Sequence, residues 1–147
     1  LIARKLGAAR RLLCASPDYL ARYGMPEGPA DLARHRCVIA GPSASGAHWV
    51  LDGPQGQETV VVTGRFAANE MQAVLAAALA GFGVAQLPQA MAEGLIDQGR
   101  LQRVLEDYTT PAGGLHVLYP SSRHLSPLVK AFIELAAERI SNRANTA

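Results

Sequence analysis

The stretch 69–88, Asn-Glu-Met-Gln-Ala-Val-Leu-Ala-Ala-Ala-Leu-Ala-Gly-Phe-Gly-Val-Ala-Gln-Leu-Pro, constrains the fold more than any other part of the chain. Asn69 is a favourable N-cap with Gln72 three positions on, and Met71, Val74, Leu75, Ala78 and Leu79 recur at helical spacing. The pattern predicts a helix over 69–80 with one face turned to a core. Gly81 supplies a left-handed stop. Residues 84–87 then suffice for a short buried strand before Pro88. With the β-rich run 59–65 ahead of it, the helix reads as the crossover of a βαβ unit whose other strand is 83–87. Such a crossover is right-handed and its strands are parallel. Their carboxyl ends meet the helix start at one edge, where open α/β sheets take ligands.

The flanking segments fit an α/β domain. Residues 11–15 are apolar and strand-length, and Ser16-Pro17-Asp18 then provides an N-cap, a first-turn proline and an acidic first turn for a helix through Tyr23. The stretch 24–29 is turn-rich, 30–35 suits one helical turn, and 37–40 suits a buried strand. Two β-rich runs, 49–51 and 59–63, flank a hairpin-like Asp-Gly-Pro-Gln-Gly. Further on, 89–96 suggests a short helix, 101–105 a strand, and 109–114 a loop that is the best internal boundary. Beyond it 115–119 is strand-like. Ser126-Pro127 opens a helix with Val129, Phe132, Ile133, Ala136, Ala137 and Ile140 on one stripe, which has to dock on something or else favour association.

Chemistry-bearing residues are sparse. Fourteen basic and twelve acidic residues leave a net charge of +2 spread along the chain, which is no footprint for nucleic acid. Neither a long apolar run nor an export leader is present, so the reading is cytoplasmic with no membrane contact; the start at Leu1 reads as a fragment. His35, His48, His116 and His124 lack metal-ligand spacing. Ser16, Ser43, Ser45, Ser121, Ser122 and Ser126 include no nucleophile elbow. Cys14 and Cys37 sit in apolar contexts and read as reduced core thiols. Asp18, Asp31, Glu70, Glu106 and Asp107 read as solvated or first-turn charges, and Trp49 as a core edge or a pocket wall. No catalytic residue, metal or cofactor is expected.

The ligand edge is instead assembled from polar and backbone groups. Ala67, Ala68, Asn69 and Glu70 meet Gln86, Leu87 and Pro88 there, and the loop 41–46 brings Ser43, Ser45 and Gly46. The helix start at Asn69 offers N–H groups suited to an anion, a preference that Glu70 opposes.

Four segments, Arg11-Leu-Leu-Cys-Ala-Ser-Pro-Asp-Tyr-Leu, Ala30-Asp-Leu-Ala-Arg-His-Arg-Cys, Ala77-Ala-Leu-Ala-Gly-Phe-Gly-Val-Ala-Gln-Leu-Pro and Tyr119-Pro-Ser-Ser-Arg-His-Leu-Ser-Pro-Leu-Val-Lys-Ala-Phe-Ile, occur in this order across nearly the whole chain. Together they resemble the effector-binding domain of LysR-type transcriptional regulators. The resemblance implies an α/β fold of the periplasmic-binding-protein type, with two subdomains joined by crossover strands and a small-molecule effector between them. It implies that 15–112 is subdomain two, and that 1–14 and 113–147 supply crossover strands and the closing helix of subdomain one. The family's winged helix-turn-helix, through which DNA is bound, and the first part of subdomain one are expected to lie outside this sequence. By position, the effector contacts fall on Ser43, Ser45, Gly46, Ala68, Asn69, Glu70, Gln86, Leu87 and Pro88. The function implied is effector sensing without catalysis, in a homo-oligomer held by subdomain-one elements; a transport-related solute-binding protein of the same fold is the alternative.

Overall fold

Alternation along short strands sets the architecture, because successive side chains enter opposite faces of a sheet and here both faces are covered. The computed structural model describes every residue except Ala112, Ser121, Ser122 and Ala147. In chain order the elements are β1 (Ile2–Ala9), β2 (Arg11–Ala15), α1 (Pro17–Tyr23), a 3-10 turn (Pro29–Ala33), β3 (Cys37–Ala40), β4 (Ala47–Gly53), β5 (Gly56–Val62) and β6 (Phe66–Ala68). There follow α2 (Met71–Leu79), β7 (Val84–Pro88), α3 (Gln89–Asp97), β8 (Gln102–Arg103), β9 (Gly113–Tyr119) and α4 (Pro127–Thr146). They form two compact units, Arg10–Pro111 and Leu1–Ala9 with Ala112–Ala147.

The Arg10–Pro111 unit is built on a five-stranded sheet of order β6-β3-β7-β2-β8. β3 runs parallel to both β6 and β7, whereas β2 is antiparallel to β7 and to β8. Leu13, Ala15, Cys37, Ile39 and Val84 face one core with Tyr19, Leu32, Trp49, Leu51 and Val62. Leu12, Cys14, Val38, Ala85 and Leu87 face the other with Val74, Ala78, Ala92 and Leu101. Each buried Leu, Ile or Val contributes roughly 1.5–3 kcal/mol, so the alternation stabilises a three-layer unit. β4 and β5 form an antiparallel hairpin in register from Ala47↔Val62 to Gly53↔Gly56.

Local chemistry fixes the helix ends. Ser16 caps α1 by accepting the Tyr19 N–H at 3.1 Å, with Pro17 at the first helical position. α2 closes as a Schellman motif: Gly81, at φ +83°, donates to the Ala78 carbonyl at 3.1 Å, and Phe82 donates to that of Ala77 at 3.0 Å.

The structure corrects four of the expectations. The N-cap of α2 is Glu70, not Asn69: its carboxylate oxygens accept the N–H groups of Gln72 and Ala73, both at 3.1 Å, and a charged two-oxygen acceptor outcompetes the neighbouring amide. The run 59–65 is not the strand that enters the βαβ unit. It breaks at Gly64, where a Cβ would lie 1.7 Å from the Cys37 carbonyl oxygen. This close approach lets the chain leave the hairpin and start β6 in the main sheet, so the crossover is β6-α2-β7 with β3 between the two strands. The predicted strand 101–105 pairs only over Gln102–Arg103, and Leu105 turns to φ +49°. The stripe of α4 is narrower than predicted, for Phe132 is 64% exposed while Ile133 is buried.

In the other unit, β1 and β9 form an antiparallel pair from Ile2↔Tyr119 to Ala9↔Gly113, with a register shift between Lys5 and Gly7. α4 packs on β1, and Gly7 allows the approach: a Cβ there would lie 3.0 Å from Ile140 Cγ2. The division expected at 112 falls on Ala112, outside the described residues, as do the candidate serines Ser121 and Ser122.

Candidate functional site

Three parallel strands end together: the register Ala40↔Ala68 aligns β3 with β6, and the Gly41 N–H donates to the Ala68 carbonyl at 2.9 Å. β2, being antiparallel, begins where β7 ends, and Arg11 pairs with Pro88. The edge is therefore made of the carboxyl ends of β6, β3 and β7 and the amino end of β2. Beside it lies a cleft of about 170 Å³, lined by Arg11, Val38, Ala40, Ala47, His48, Trp49 and Gln86.

Of the nine residues predicted to contact a ligand, Gln86 lines this cleft. It occupies a row of β7 whose other members, Val84 and Pro88, are apolar. A half-buried amide at that point has its hydrogen-bonding groups available at the opening. Ser43, Ser45 and Gly46 are in the loop after β3; the two serine hydroxyls lie 2.7 Å apart and the Ser45 N–H donates to Ser43 Oγ at 3.2 Å. Ala68, Asn69 and Glu70 lie at the β6 end of the edge, where Glu70 is occupied as the cap of α2. Leu87 is fully buried among Leu12, Val74 and Ala92 on the opposite face, because it is one residue out of phase with Gln86. Pro88 is half-buried.

Arg11 was missed, and its signal is visible only through topology. A cationic residue opening an apolar run reads as a strand edge until β2 is known to run opposite to β7. Trp49 combines its two sequence readings, for it is only 6% exposed and also walls the cleft. His48, read as a scattered histidine, is exposed on the same strand.

Several titratable groups away from the cleft have structural roles. Burial pushes the Cys14 and Cys37 thiols up to about 12, and both are unpaired by disulfide; they are core side chains and poor nucleophiles. Burial also lowers the pKa of His35, whose Nδ1 lies 2.8 Å from the Tyr19 hydroxyl. That hydroxyl accepts the Arg36 N–H at 3.0 Å. The Asp31 carboxyl is held low mainly by the Glu27 N–H, which donates to Oδ2 at 2.9 Å. At the far end of β2, near β8, Arg103, Glu106, Tyr108 and Met25 line a second cavity of about 290 Å³. Among the described residues no three metal-ligating side chains gather, and no helix is long and apolar enough to cross a membrane.

Comparison with known proteins gives a consistent family. The LysR substrate binding domain matches residues 1–141. The HTH-type transcriptional regulator PtxR of Pseudomonas aeruginosa is 36% identical over 140 residues, covering 95% of this chain and 45% of that protein. The uncharacterized HTH-type transcriptional regulator YcaN of Escherichia coli is 34% identical over 123 residues, covering 83% of this chain and 40% of its own length. This chain thus spans less than half the length of these curated relatives. Among solved structures, the full-length Vibrio cholerae virulence activator AphB, a member of the LTTR protein family, superposes with a TM-score of 0.81 at 32% identity, over 95% of this chain and 48% of AphB. The regulatory domain of CrgA from Neisseria meningitidis gives 0.82 at 25% identity, over 95% of this chain and 68% of that one.

Proposed function

Because this chain belongs to the LysR substrate-binding-domain family, we propose that it is the effector-sensing domain of a LysR-type transcriptional regulator and binds a small molecule at the edge where β3, β6 and β7 end. The observation that carries this reading is the break in apolar patterning at Gln86 and Arg11: with His48, these two polar residues line a cleft whose other lining residues are Val38, Ala40, Ala47 and Trp49. Gln86 is half-buried and Arg11 exposed, and an edge that sets such polar groups against a cavity with an apolar wall fits a ligand better than it fits bare core packing. Ser43, Ser45, Gly46, Ala68 and Asn69 frame the same edge and are assigned as its rim.

In this reading the Arg10–Pro111 unit is subdomain two, and the remaining unit belongs to subdomain one. The domain catalyses nothing. DNA is contacted by another domain of the regulator, in the cytoplasm, and oligomers form through the β1, β9 and α4 elements, where Leu128 and Phe132 are exposed. An effector alters the regulator's output only by binding one arrangement of it more tightly than another.

A thermal-shift screen of small metabolites on the regulator tests this. A true effector at a hundredfold its dissociation constant stabilises the domain by about 2.7 kcal/mol, and Gln86→Ala is expected to remove most of that shift. A ligand whose stabilisation survives Gln86→Ala unchanged places the site elsewhere.

A further inference from the structure

The charge at this edge is not where a helix N-terminus would put it. Glu70 turns both carboxylate oxygens onto the first free N–H groups of α2, at 3.1 Å each. A ligand anion arriving there would have to displace a bonded group of its own sign, so the usual anion preference of a helix start is already spent.

Across the sheet the situation is reversed. The backbone around Arg11 is pinned: its N–H donates to Thr110 Oγ1 at 2.9 Å, and the Arg10 carbonyl accepts the Gln89 N–H at 3.0 Å. Its guanidinium, however, makes no ion pair with any carboxylate among the described residues. No Asp or Glu lines the cleft, and Arg11 is its one permanently charged side chain. Arg11 pairs with Pro88, and Gln86 pairs with Leu13. Arg11 and Gln86 are therefore diagonal neighbours on one sheet face, roughly 7–8 Å apart along the backbone, a spacing that one small ligand spans.

We propose that the ligand of this cleft is a small carboxylate, its charged group held by Arg11 and its uncharged polar end by Gln86, with the sealed start of α2 taking no part. This rests on reading the cleft as the effector site. A planar guanidinium matches a carboxylate through two parallel N–H bonds, and Trp49 offers an apolar wall for the ligand's remaining atoms.

Trp49 is the single tryptophan of the chain, so its fluorescence reports on this cleft. Titrating the protein with butyrate and benzoate, against the neutral isosteres butyramide and benzamide, is expected to give saturable changes with the carboxylates at affinities about tenfold or more above the amides. Arg11→Gln should erase that preference and Arg11→Lys should retain part of it, both with unchanged melting midpoints because Arg11 is exposed. Amides binding as well as carboxylates, or a carboxylate preference that survives Arg11→Gln and falls in Glu70→Gln, overturns the proposal and leaves the cleft as the effector site. Carboxylates that raise the melting midpoint with no response at Trp49 overturn both the proposal and the reading beneath it. No saturable change with any of the four probes overturns the carboxylate assignment.

Discussion

The two units use the same alphabet of apolar strands and amphipathic helices to different effect. In Arg10–Pro111 the central sheet is covered on both sides, and two full sets of side chains vanish from solvent. In the unit of Leu1–Ala9 and Ala112–Ala147, a single helix meets a two-stranded ladder, and Ile133 is the one buried apolar residue among the described ones. Leu115, Leu118, Leu128, Phe132 and Leu135 stay exposed there. An amphipathic pattern thus specifies which face seeks burial, whereas stability depends on whether a second layer exists to meet it; two strands and a helix are too few layers.

Paired substitutions break or sharpen this contrast. Leu13, fully buried against the hairpin, and Phe132, 64% exposed on α4, are both large apolar residues. Leu13→Ala is expected to cost about 2–5 kcal/mol, and Phe132→Ala, at concentrations where the chain is monomeric, to stay within about 0.5 kcal/mol of neutral. Urea midpoints measure both, and equal losses would refute the difference in layering.

A smaller contrast of the same kind separates two caps. Ser16 is buried and accepts the Tyr19 N–H at 3.1 Å, while Ser126 is exposed and accepts that of Val129 at 3.3 Å. Alanine at position 16 should cost about 1–2 kcal/mol and at position 126 about 0.5 kcal/mol, the two ends of the range for caps. Thermal denaturation of the two variants, read by circular dichroism, distinguishes the caps, and the reverse order would contradict the packing.

The smallest effect at neutral pH concerns the thiols, which occur only in the well-packed unit. Cys14 and Cys37 rise from the ordinary 9.0 to about 12 through burial. In this case the folded state holds its protons more tightly than the unfolded one. The associated stability is whole below pH 9 and is lost as pH climbs from 9 toward 12. Native protein should therefore leave a thiol reagent unreacted at pH 8 and titrate two thiols once unfolded; rapid reaction of the folded protein would show that the core opens.

Much of this was legible in the chain. Ser16-Pro17-Asp18 announced α1, Gly81 announced the end of α2, and 11–15, 37–40 and 84–87 were readable as strands, because caps, stops and short apolar runs act over a few residues. Two site features were not. Asn69 and Glu70 are both acceptable caps, and the contest between them is decided by which side chain reaches two N–H groups at once. The role of Arg11 depends on Pro88, its antiparallel partner 77 positions away, and no local pattern encodes that pairing.

Sequence by itself determined the principal helices and the strands 11–15 and 37–40, the apolar faces of the central sheet that must be hidden and the family to which the chain belongs, since each rests on residue types at short, fixed spacings. Tertiary structure alone decided that Gly64 hands the chain from hairpin to sheet, that Leu87 faces the core while Gln86 faces the cleft, and that the edge carries a lone arginine beside a sealed helix start. Those outcomes depend on strand order, direction and register, which are fixed only when both cores close around the sheet and distant residues are brought together.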